Sequence, residues 1–109
     1  MKEIRIAYII DPSTLVLNVG NVDGIEKGQR FLVYGLSDDE IIDPQTGDSL
    51  GYLEIVRGTG SVSYVQEKMC IIQSDKPTPT TNLSIAHAIG AVKYQPFSSP
   101  QVGDYAREI

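Results

Sequence analysis

Apolar residues recur at every second position through most of this chain, the period of a half-buried strand. The clearest case runs from Leu15 to Tyr34. Leu15, Leu17 and Val19 share one face of a first run, Phe31 and Val33 share one face of a second, and a glycine-punctuated loop crosses between them. In that loop Gly20, Gly24 and Gly28 suit positive φ or close backbone approach, and Ile25 is placed to plug one end of a barrel. Ahead of it, Ile4, Ile6, Tyr8 and Ile10 alternate into a first strand, turned by Asp11-Pro12-Ser13-Thr14.

Beyond it the pattern predicts a strand over Arg30–Leu36. Two extended runs follow, Leu50–Arg57 and Ser61–Ile72, joined at Gly58-Thr59-Gly60 by a hairpin or a bulged bend. The second run loses its alternation around Gln66-Glu67-Lys68, where a bulge or a strand end is expected. Val102–Ile109 closes the chain as a strand. Ser37–Asp48 reads as an acidic loop with a Pro44-initiated turn closed by Gly47, Gln73–Asn82 as a Pro/Thr-rich loop, and Phe97–Pro100 as a turn. Helix and strand both remain open for Ser84–Val92, where helical spacing competes with Gly90 and β-branched residues; a further short helical turn is expected near Asp23–Lys27. The expected fold is all-β, one small, partly open β-barrel over residues 1–109, with Leu17, Val19, Ile25, Phe31, Val33, Leu53, Ile55 and Val62 in its core.

Composition narrows the partners. At 109 residues, with 41% hydrophobic and 21% charged positions, the chain has the size and make-up of one globular domain. A net charge of −5, with nine dispersed basic residues, argues against binding a phosphate backbone. No apolar run approaches the ~20 residues of a membrane-spanning helix. The N-terminal Met-Lys-Glu-Ile-Arg-Ile interleaves charge with apolar residues and is no secretory signal as it stands. The compartment is left open: the cytoplasm for the chain as it stands, the periplasm if a leader was removed.

Candidate chemistry is sparse. His87 is the single histidine, and no spacing supplies it with a nucleophile and an orienting carboxylate. Cys70 lies in Met69-Cys70-Ile71-Ile72, where a thiol packs as a small hydrophobe. Asp38, Asp39, Glu40, Asp43 and Asp48 offer hard oxygens without the spacing of a calcium loop. The glycine-rich loop leads into a strand and leaves no helix N-terminus for a phosphate. Pro77-x-Pro79 is read as a loop stiffener. These residues predict no catalytic site, no cofactor and no metal. They leave one feature that solvation does not explain: Ile41 and Ile42, two adjacent β-branched residues inside the acidic stretch Asp38-Asp39-Glu40-Ile41-Ile42-Asp43. The pair either tucks back onto the barrel or meets a partner.

Asn18-Val-Gly-Asn-Val-Asp-Gly-Ile-Glu-Lys-Gly-Gln-Arg-Phe-Leu-Val-Tyr34, then Ile42-Asp-Pro-Gln-Thr-Gly-Asp-Ser-Leu-Gly51, then Gly103-Asp104, resembles the C-terminal domain of the bacterial flagellar assembly protein T. Its most specific part is Asp43-Pro44-x-Thr46-Gly47 followed by Leu50-Gly51. The resemblance implies a compact barrel-like domain used in assembly, with no catalytic residues to carry over. In the flagellar protein this domain follows two others and works in a periplasmic ring around the motor. The functional expectation is a non-catalytic structural or protein-interaction module of a bacterial surface, secretion or flagellum-like assembly, binding another protein or itself through residues 37–48. The competing class is a small-ligand-binding domain or accessory subunit of an enzyme, with a pocket at one barrel mouth holding His87, Tyr94 and an acidic residue.

Overall fold

In the computed structural model, which describes residues 2–77 and 94–109, the alternating runs become six antiparallel strands of one sheet. They are β1 (Ile6–Asp11), β2 (Thr14–Leu17), β3 (Arg30–Ile42), β4 (Ser49–Val65), β5 (Cys70–Ser74) and β6 (Tyr105–Glu108), in the spatial order β1-β2-β5-β4-β3-β6. The only helical element among the described residues is a 3-10 turn at Asn21–Asp23. The 84–92 segment, His87 and Pro79 lie outside the described residues.

The sheet is open, because no ladder joins β6 to β1. Its outer strands nevertheless approach each other at one point: Arg5 and Tyr105 form a single bridge, and Ile6 N–H donates to the Asp104 carbonyl at 2.8 Å while Ala106 N–H donates to that of Ile4 at 2.9 Å. Ile6, Leu15, Leu17, Val19, Phe31, Val33, Val62, Cys70, Ile72, Phe97 and Ala106 form the core, with Ile25 partly buried against it.

The tight β1–β2 turn follows from its residues. Pro12 and Ser13 form a two-residue loop between the paired Asp11 and Thr14, and the Asp11 carboxylate accepts the Ser13 N–H at 2.8 Å. β1 itself departs from the expected alternation. Register shifts after Ile6 and after Ile9 reverse its phase, so Tyr8 and Ile10 are exposed while Ile9 packs on the core.

The glycine loop works through two different constraints. Gly20 is extended, and a side chain there would come within 2.4 Å of the Gln66 carbonyl oxygen, because the loop lies directly on the β4–β5 turn. Gly28, at φ 94°, occupies the left-handed region with open space around it, and its N–H donates to the Val62 carbonyl at 2.9 Å. One loop residue needs the space and the other needs the dihedral.

Gly58-Thr59-Gly60 is not a hairpin but lies inside β4, where a register shift between Val33 and Tyr34 makes it the bulged bend. The reason is packing. Phe97, at the start of the expected Phe97–Pro100 turn, is buried with its ring over both glycines: a side chain would meet the ring at 3.1 Å from Gly58 and 3.0 Å from Gly60. The break at Gln66-Glu67-Lys68 is a strand end, a turn that returns Val65 to pair with Cys70.

A β-branched side chain at Gly28 has room but the wrong dihedral. Gly28→Val should therefore lose about 1–3 kcal/mol of unfolding free energy in urea. Phe97→Ala empties the trough above the two glycines and should lose about 3–5 kcal/mol by the same measurement.

Candidate docking site on the β3–β4 hairpin

β3 and β4 are 13 and 17 residues long, far longer than their neighbours. β6 pairs with β3 only from Phe31 to Tyr34, and β5 pairs with β4 only from Gly60 to Val65. Past those limits, among the described residues, the two long strands pair only with each other, out to Ile42 and Ser49. The stretch 36–56 is thus a hairpin arm that runs on for about 20 Å at the usual strand rise.

This overturns the reading of Ser37–Asp48 as a loop. Ser37–Ile42 belongs to β3, and only residues 43–48 form the tip. The tip is set locally: Asp43 accepts the Gln45 N–H on its carboxylate and the Gly47 N–H on its carbonyl, both at 2.8 Å, with Pro44 and left-handed Gly47 in the turn between. Gly24, also left-handed, ends the 3-10 turn and takes no part in the arm.

Leu53 and Ile55 are not in the core. They are 58% and 39% exposed, and Ile41 and Ile42, at 41% and 47%, do not tuck back onto the sheet. Leu36, Leu50, Tyr52 and Val56 are exposed on the same arm, giving it eight large apolar side chains in solvent. Asp38, Asp39, Glu40, Asp43, Asp48 and Glu54 supply six carboxylates, and no Lys or Arg occurs between Leu36 and Val56. Their sequence alternation resembled that of buried strands because it is that of β4 as a whole; the neighbour that would bury this half is missing from the described sheet.

The arm is anchored at its base. Arg57 Nε donates to Asp104 Oδ2 at 3.1 Å with both side chains largely buried, and Gly35 makes room for the pair, since a side chain there would reach within 2.7 Å of the guanidinium. Arg107 holds both oxygens of Glu54 at 3.0 and 2.9 Å and lies over the Tyr34 ring at 5.0 Å. Tyr34 stacks on Tyr105, over which Arg5 sits at 4.4 Å. Arg107 is pushed to a higher pKa, first by its hydrogen bond to Glu54.

Just beyond the end of β5, Asp75 gathers donors from β3 and β4. Arg30 Nε approaches at 2.8 Å, Thr59 Oγ1 at 2.6 Å and Ser61 Oγ at 2.7 Å. The Arg30 hydrogen bond, aided by the two hydroxyls, holds the carboxyl down at about 2. Cys70 behaves in the opposite sense: at the start of β5 it is buried in the core, and burial pushes its thiol up to about 11, which keeps it protonated and unreactive near neutral pH.

Tyr94 lies beside a surface depression shared with Ser13, Thr14, Gln73 and Ser74, a lining without a carboxylate. Among the described residues, no three His, Cys, Asp or Glu side chains gather as a metal site would require, and no helix is long and apolar enough to cross a membrane. No protein-family model matches the chain, and a search of curated proteins found no similar sequence.

A carboxylate whose pKa is depressed on folding contributes stability that is fully present above its ordinary value of 3.8 and is lost as pH falls toward about 2. Urea midpoints of the parent protein should decline across that interval. Those of Asp75→Asn should start lower and change less.

Proposed function

We propose that this protein is a non-catalytic interaction module that docks onto another protein through the 36–56 hairpin. The observation that carries the reading is the exposure of Leu36, Ile41, Ile42, Leu50, Tyr52, Leu53, Ile55 and Val56 on one arm. Large apolar side chains left in solvent in such number, on both faces of one short arm, mark an interaction site. Burying each of the two adjacent isoleucines against a partner would contribute about 1.5–3 kcal/mol.

With Glu54 held by Arg107, the five carboxylates of Asp38, Asp39, Glu40, Asp43 and Asp48 select the partner. They favour a basic surface, and they oppose pairing of two arms, which would set five negative charges against five. The proposed setting is a multi-protein bacterial assembly. In support, the most specific motif of the resemblance to the flagellar assembly protein, Asp43-Pro44-x-Thr46-Gly47 with Leu50-Gly51, lies on this arm.

Ile41→Ser combined with Ile42→Ser tests the reading. Both positions are in solvent, so the variant should keep the parent's circular dichroism and urea midpoint. A partner captured from native lysate, identified and purified, should bind the variant at least about tenfold more weakly than the parent. Equal binding by a folded variant would overturn the proposal. Light scattering should report a monomer for both proteins near neutral pH.

A further inference from the structure

The sequence places Ile25 to plug one end of a barrel, but the structure leaves that end unfilled. A cleft of about 470 Å³ opens beside it, with Ile4, Val19, Ile25 and Phe31 as its apolar lining. Sites for small molecules are typically apolar hollows of about 300–1,000 Å³ carrying a few polar groups. The cleft lies where β6 and β1 part. Ala106 N–H still reaches the Ile4 carbonyl at 2.9 Å, and beyond that bond no backbone link joins Glu108 to Lys2 among the described residues. This is the opposite end of β3 from the arm, since Phe31 is the second residue of that strand.

The polar group that matters is Glu108. It stands directly opposite Phe31 in the β6–β3 ladder, and residues so paired project from the same face. Along β6 it alternates with Arg107 and shares its face with Ala106, which is buried against the core opposite Val33. Glu108 therefore occupies the core-facing row of the sheet, in line with Phe31, Val33 and Ala106, and lines the cleft at the point where that row runs out into solvent.

Its charge is unmatched. Glu108 takes part in none of the ion pairs among the described residues, although Lys2 lies on the same rim. Asp23, the other carboxylate of the lining, is engaged by the Gly20 N–H at 2.9 Å. An inward charge on an edge strand also serves to repel other strands. That role needs no apolar hollow beside it, and here the hollow and the carboxylate adjoin.

We propose that this cleft binds a small organic cation, an amine with an apolar body. The apolar part lies on Ile4, Val19, Ile25 and Phe31, and the ammonium group pairs with the Glu108 carboxylate. The site is independent of the arm and its partner.

Benzylamine, protonated near neutral pH, is the probe, with benzyl alcohol and benzoate as its neutral and anionic counterparts at constant ionic strength. Binding is followed through the backbone amide chemical shifts of the protein. Benzylamine should shift the Val19, Gly24, Ile25 and Phe31 amides saturably below about 10 mM. Benzyl alcohol should bind more weakly and benzoate more weakly still. Glu108→Gln, at an exposed position, should keep the fold, weaken benzylamine by about three- to fivefold and leave benzyl alcohol unchanged. Lys2→Gln should bind benzylamine at least as tightly as the parent does.

Absence of saturable shifts up to about 10 mM, or shifts confined to other residues, would overturn the inference. So would benzoate binding as tightly as benzylamine, benzylamine binding unchanged in Glu108→Gln, or binding weakened in Lys2→Gln. The Ile41→Ser, Ile42→Ser variant should bind benzylamine as the parent does, and loss of binding there would also overturn a site separate from the arm.

Discussion

The β3–β4 ladder is the interaction on which the rest of the molecule depends. Every other strand is short: β2 and β6 have four residues and β5 has five. Short strands gain little from their own pairing and are held by the apolar surface they close over. β3 and β4 supply that surface through Phe31, Val33 and Val62, and the same two strands continue past it as the arm.

Such a junction is where a long hairpin would splay, since the last buried contact lies behind it. The structure concentrates its polar order there. Arg57 with Asp104 and Arg107 with Glu54 tie β4 to the chain around β6 at this point, while Arg30 with Asp75, at the far end of β3, ties that strand to the residues after β5. The first pair is largely shielded from water, so removing either partner would strand the other as an uncompensated charge. The other two are more open and add little individually. Together with the Tyr34–Tyr105 stack, the Arg57 and Arg107 pairs tie down the start of the arm.

The arm combines exposed apolar side chains with charge of one sign, and like charges oppose contact between copies. Its carboxylates give it one sign of charge throughout, and a bulge at Ser37–Asp39 spoils one of its two edges.

Local chemistry was enough to read much of this protein from its sequence. The alternation of Leu15, Leu17, Val19, Phe31 and Val33, the Asp11–Thr14 turn, the left-handed Gly28 and the burial of Cys70 depend on near neighbours and on solvent avoidance, both written in the residue types. Ile41 and Ile42 were conspicuous for the same reason, as apolar residues among acids. Tertiary structure alone decided which half of an alternating strand is covered. Leu53 and Ile55 carry the same pattern as Val62, yet only Val62 lies where β5 reaches β4. Gly58 and Gly60 looked like a turn because glycine serves turns and close packing equally, and the ring they accommodate, Phe97, comes from far along the chain. Period and composition report what a strand can bury; the lengths of its neighbours determine what it does bury.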